Sequence, residues 1–284
     1  MKSQNKDAMY GIRKGIVFYF NDYIEKDPIK TMIGNLIDIT GTKFTRKSAQ
    51  DDPQIRLIRG GWERVFDNTF RNSTFENSNV LMFTDETKEA LPTTKIYMNL
   101  WNPRKMPSII LINCMTDIEW DTIISFIHNV NKLLNLQFVS AGYDVVSNYF
   151  WYPGSAAYGL KFLRTVKCAN SEWTEWLNPN YRFAANHGIC CPNIIQFLSN
   201  KLWSPVKDAV NQSGFHCEQL NSGVLLDVLD HRDGMLFEPE KDVLFDRLSR
   251  LYQVLRPIVI HYQKPMFLKE NEWAAWQRRY DSGK

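Results

Sequence analysis

Long apolar runs are missing from this chain of 284 residues. No stretch reaches the ~18 apolar residues that a membrane-spanning helix needs. The opening "MKSQNKDAMYGIRKG" is polar where a signal peptide has its apolar region. The "IVFYF" that follows is short and has no small-residue cleavage site. A cytoplasmic protein that keeps off membranes is the expectation. Cysteine pairs spaced for metal or redox work are missing too. Cys114, Cys168, Cys190, Cys191 and Cys217 form no CxxC and are odd in number, which points to reduced thiols and not to a disulfide framework. A strong excess of either charge is absent: the net charge is +3, too balanced for a broad nucleic-acid binder or for an acidic DNA mimic. Phosphate-cradling glycine loops are absent as well, since GxxxxGK[ST], GxGxxG and GxSxG do not occur, and neither does the zinc signature HExxH. No cofactor, no bound metal and no direct nucleic-acid partner is expected.

What is present is material for a core. Hydrophobic residues make up 44% and aromatics 13%, with nine tryptophans, so a chain of this length can bury most of its unfolded surface without staples. "GIVFYF" reads as a buried strand. Asp27-Pro28 opens a helix whose Ile29, Met32, Ile33 and Leu36 fall at helical spacing, with Gly41 as its stop. Residues 42–73 are polar and basic and match no template. Three strands are expected at about 79–84, 95–101 and 107–113, separated by Pro92, Asn102-Pro103 and Pro107. Thr116 and Glu119 have capping-box spacing ahead of the apolar stripe Trp120, Ile123, Ile124, Ile127, Val130 and Leu134. "LQFVSAGY" returns as a strand. In the second half, "SAAYGLKFLRTV" reads as a helix and "NPNYRF" as a turn and strand. "PNIIQFLSNKLW" and "SPVKDAVNQ" read as short helices. "FHCEQLNSGVLLDVL" reads as a hairpin turning at Asn221-Ser222-Gly223. "EKDVLFDRLSRLYQVL" is an amphipathic helix, "PIVIHY" a last strand, and "NEWAAWQRRYD" a closing helix with Trp273, Trp276 and Tyr280 on one face. The pattern predicts an α+β fold, mostly antiparallel sheets with packed helices. Residues 1–10 are set apart as a flexible N-terminus and 11–284 as a single domain, with a boundary near residue 150 if there are two similar-sized lobes.

Catalytic constellations are weak by comparison. Asp227, Asp230, His231, Asp233, Glu238, Glu240 and Asp242 are oxygen or nitrogen donors in one stretch. Their spacing is neither that of an EF-hand nor that of a zinc site. A metal-dependent hydrolase built on Asp227, Asp230, His231 and Asp233 is the alternative that stretch keeps open. His187 with Cys190-Cys191, and His216-Cys217, invite a zinc reading with no standard spacing. Glu86 and Lys88 form an ExK triplet downstream of Asp67, the residue types a metal-dependent nuclease uses around its divalent ion. That triplet is common by chance. His128, at the edge of a helix stripe, reads as structural.

Two features are left over. One is the aromatic stretch "AGYDVVSNYFWYPGSAAYG", whose Trp151 and Tyr152, beside Pro153-Gly154, are the rings expected to reach a surface. The other is the acidic run Glu218, Asp227, Asp230, Asp233, Glu238, Glu240, Asp242 and Asp246, against Arg232 and Lys241, in a chain that is positive overall. Aromatic anchors and complementary charge are what protein interfaces use. Trp151, Tyr152, Asp227, Asp230, Asp233, Glu238 and Glu240 are therefore the candidate contact residues. A homo-oligomeric structural module, with the aromatic stretch as its own interface, is the other non-enzymatic alternative.

The order of elements resembles the TsiV-like group of type VI secretion immunity proteins. The resemblance is carried by "GIVFYFN" with the helix after it, "LQFVSAGYD" after a long helix, "NPNYRFAANHG", "WSPVKDAV", "NSGVLLDV", and the closing helix with "PIVIHY" and the Trp-rich end. It implies a cytoplasmic inhibitor and not an enzyme. Such an inhibitor is a monomer or homodimer that binds a cognate secreted effector toxin, a nuclease of VRR-Nuc or related type, and covers its active site or substrate groove. A nuclease groove is basic because it holds phosphates, so an acidic patch on the inhibitor would suit it. The group has no catalytic residues to carry over.

Overall fold

The computed structural model of the chain describes residues 10–20, 22, 24–49, 52–70, 79–85, 91–100, 107–147, 170–171, 184–185, 187–228, 242–261 and 269–281. Among these residues eleven strands form one sheet: β1 Tyr10–Phe20, β2 Arg46–Ala49, β3 Asp52–Leu57, β4 Asn79–Thr84, β5 Thr94–Leu100, β6 Ser108–Cys114, β7 Phe138–Ser147, β8 Asn170–Ser171, β9 Ile195–Ser199, β10 His216–Leu220 and β11 Gly223–Asp227. Across the sheet the order is β10-β11-β9-β7-β1-β6-β5-β4-β2-β3, with the short β8 pairing parallel to β7. Every other pair is antiparallel. Among the described residues the helices are α1 Lys26–Thr40, α2 Trp62–Thr69, α3 Trp120–Leu133, α4 Asn200–Trp203, α5 Lys207–Ser213, α6 Asp242–Leu255 and α7 Glu270–Gln277. This is the α+β class that the pattern predicts. The boundary considered near residue 150 lies outside the described residues, while strands from both halves of the chain join the same sheet.

The central strands hold the core because both their faces are covered. All seven residues of β5 and of β6 are buried, as are all five of β9 and β11. One face is covered by α1, α2 and α3. Phe126 of α3 meets Phe18 edge-on at 6.0 Å, Trp120 meets Tyr143 at 5.6 Å, and Trp62 of α2 meets Phe83 at 6.1 Å. Lys26 and Lys30 of α1 reach Asp67 of α2 at 2.7 and 2.9 Å. These partly exposed pairs orient the two helices more than they stabilise them.

The opposite face carries a buried polar row. Residues paired across neighbouring strands point to the same side, and the register aligns Thr84, Lys95, Asn113, Gly15 and Gly142. Asn113 Nδ2 donates to Asp144 Oδ2 at 3.2 Å, Asn193 Nδ2 donates to Ser140 Oγ at 3.0 Å, and Gln196 Nε2 donates to the Cys191 carbonyl at 3.0 Å. Gly142 leaves the room this row needs, since a Cβ there would sit 1.6 Å from Asn193 Oδ1. Buried polar groups hold their place by such pairing.

Several sequence expectations are corrected. Ile195–Ser199 is a strand and not part of a helix, and only Asn200–Trp203 turns helical. Thr116 forms no capping box. Glu119 is the N-cap of α3 and makes no side-chain cap bond. "PIVIHY" gives a single 3-10 turn, Arg256–Ile258, and a parallel bridge from Val259 to Ile189 in place of a strand. The expected helix in "SAAYGLKFLRTV" and the turn and strand in "NPNYRF" lie outside the described residues.

Candidate interaction site

The hairpin of β10 and β11 sits at one end of the sheet, and beside it a cleft of about 530 Å³ opens between α5, the hairpin and α6. Local sequence builds it. α5 stops at Gly214, which takes the left-handed conformation at φ 78° and turns the chain into β10. Ser213 Oγ donates to the Val210 carbonyl at 2.6 Å and lies 3.5 Å from the Phe215 N–H, which fixes the turn. From α6, Arg247 and Arg250 project three residues apart, so they fall on one helix face. Arg247 Nη1 donates to the Val228 carbonyl at 2.9 Å. Arg250 Nη2 donates to the Ser213 carbonyl at 3.4 Å, and its guanidinium lies 5.6 Å from the centre of the Phe215 ring. Asn211, His216, Cys217 and Asp227 complete the walls. Burial pushes the Cys217 thiol up from its ordinary value, so it is a poor nucleophile there.

Asp227 is the only contact residue expected from sequence that falls among the described residues. It is 3% exposed, in the wall of the cleft and not on an open acidic face. Trp151, Tyr152, Asp230, Asp233, Glu238 and Glu240 lie outside the described residues, as does His231 of the hydrolase alternative. The described part of the acidic run is divided. Glu218 turns toward α3, with Oε2 3.1 Å from His128 Nε2, which gives His128 a structural partner. Arg247 and Arg250 line the same cleft as Asp227. Sequence reading missed both arginines because they look like the solvated face of an amphipathic helix.

The other chemical candidates do not assemble. Among the described residues no three His, Cys, Asp or Glu side chains come together as a metal-holding group. Asp67 is engaged with Lys26 and Lys30, and Glu86 and Lys88 lie outside the described residues. Cys190 and Cys191 are buried, with their sulfurs 3.4 Å apart, and Cys191 donates to Asn170 Oδ1 at 3.4 Å. Among the described residues no helix is long and apolar enough to cross a membrane.

No protein-family model matches the chain, and no curated protein matches it. Among solved structures, it is similar to the Pseudomonas aeruginosa T6SS protein PA0821. The TM-score is 0.71 at 10% sequence identity, over 96% of this chain and 82% of that one. At that identity the likeness shows a shared fold.

Proposed function

We propose that this chain is an immunity protein: it binds a cognate toxin of a type VI secretion system in the cytoplasm and neutralises it by covering the toxin's active site or substrate groove. The observation that carries the reading is the fold shared with a T6SS protein along nearly the whole chain. The order of sequence elements that resembles the TsiV-like group points the same way. A nuclease is the favoured toxin, because a basic phosphate-holding groove would meet the acidic residues between Asp227 and Asp246. Binding alone does the work, without turnover. Co-expression with the toxin encoded beside its gene tests this: growth is restored if the reading holds, and continued killing in the presence of folded protein overturns it.

A further inference from the structure

The two adjacent cysteines ahead of β9 are held in a way that their adjacency does not require. Neighbouring side chains of an extended chain point to opposite sides. Cys190 and Cys191 instead sit at bends in the chain and bring their sulfurs to 3.4 Å, where one thiol can donate to the other. Among the described residues no group of three His, Cys, Asp or Glu side chains forms a metal cage, so what the fold assembles here is a dithiol pair.

Backbone contacts on both sides hold the pair. The Ile189 N–H donates to the Ile258 carbonyl, and the Ile189 carbonyl accepts from the Ile260 N–H, both at 2.9 Å. Gly188 permits that close approach, since a Cβ there would sit 2.1 Å from the Ile258 carbonyl oxygen. On the other side, the Cys191 carbonyl accepts from Gln196 Nε2 at 3.0 Å, and Asn193 Nδ2 donates to Ser140 Oγ at 3.0 Å. The Cys191 thiol donates to Asn170 Oδ1 at 3.4 Å, and the same oxygen accepts from Arg279 Nη2. Cys190 is 6% exposed and Cys191 3%, so only a small oxidant suits the site.

We propose that Cys190 and Cys191 are a redox-sensitive modification site, which a small hydroperoxide closes into a disulfide between adjacent residues. One sulfur, giving up its proton, attacks a peroxide oxygen. The O–O bond breaks, water leaves, and a sulfenic acid remains. The second sulfur, giving up its proton, attacks the first, the S–O bond breaks, and a second water leaves. Two S–H bonds are spent, one S–S bond is made, and the electron pair ends on the peroxide oxygens. Adjacent Cα atoms lie about 3.8 Å apart, below the ~4.4–6.8 Å usual for a disulfide. A disulfide outside the usual geometry is readily reopened by a thiol reductant, which makes the site reversible. It needs no toxin contact, so it stands apart from the immunity reading.

The test uses the full-length protein, reduced with dithiothreitol and freed of it. Trypsin releases residues 183–201 as one peptide, whose only cysteines are Cys190 and Cys191. The folded protein is treated with hydrogen peroxide, catalase removes the excess, and the chain is unfolded in urea with N-ethylmaleimide. Without peroxide the peptide takes two labels. After peroxide it should take none and weigh two hydrogens less than its dithiol form, and dithiothreitol should restore both labels. Circular dichroism after peroxide should show the native fold. Retention of either label overturns the proposal, as do added oxygen atoms or a link to the peptide that holds Cys168. Loss of the labels only once the protein has unfolded, or labels that dithiothreitol does not restore, overturns it as well.

Discussion

Cys114 shows how much one residue's surroundings decide. It sits in the last position of β6, 1% exposed, with its thiol 3.6 Å from the Lys14 carbonyl. Burial, offset in part by Lys14, pushes its pKa up from 9.0 to about 12. A pKa raised in the folded state contributes stability that is complete below the unfolded value and lost as pH rises through the window between the two. By pH 10 the loss is on the order of 1 kcal/mol. Desolvation lowers the pKa of Lys14 beside it, which acts in the opposite direction as pH rises. The comparison that isolates Cys114 is therefore between the native protein and Cys114→Ala, which share every other group. Urea midpoints should fall more steeply from pH 8 to pH 10 in the native protein than in the variant, and parallel curves would refute the assignment. None of this is visible in sequence, because Cys114 looks the same there as the half-buried Cys217. The buried polar row is hidden for a similar reason. Asn113, Ser140 and Gln196 stand alone among apolar neighbours in sequence, and only the register shows that they share one face of the sheet.

At the scale of elements, strands with proline borders and helices with a clear apolar period were legible. β4, β5 and β6 fall within a residue or so of their predicted positions, and α1 ends at Gly41 as expected. The failures have physical causes. β9 is buried on both sides, so it has no alternation and cannot be told from a buried helix by pattern. β2, β3 and α2 lie at the end of the sheet, where solvent takes one side and polar residues blur the signal in 42–73. The hairpin was found, but not for the expected reason at Gly223. Its φ is not left-handed, and what it provides is clearance, since a Cβ would sit 2.0 Å from the Leu198 carbonyl oxygen of the neighbouring strand. Backbone cannot move aside as a side chain can. Gly223→Ala should cost about 1–3 kcal/mol in urea unfolding, as overpacking of a well-filled interior does. A change within a few tenths would mean that β9 and β11 are further apart than described.

For the whole molecule, fold class could be read from the sequence, while the partner surface could be read only in part. The α+β sheet is present, and Asp227 borders the cleft beside the β10–β11 hairpin, but it is buried. Its companions in the acidic run lie outside the described residues, so their part in binding rests on charge alone. Reversing Asp230, Asp233 and Glu240 together should weaken toxin binding, with a loss that shrinks at high salt, and leave the melting temperature of the free protein unchanged. Native affinity in that triple variant would remove the acidic segment from the interface. An immunity protein of the proposed kind inhibits by stoichiometric binding. Its most direct test is titration of the purified protein into the toxin's own activity assay, nuclease cleavage if the favoured class is right. Activity should fall in proportion to added protein and reach zero near one equivalent, with intact toxin recovered from the complex. Full activity in the presence of excess protein, or a catalytic trace that silences a large excess of toxin, would contradict it.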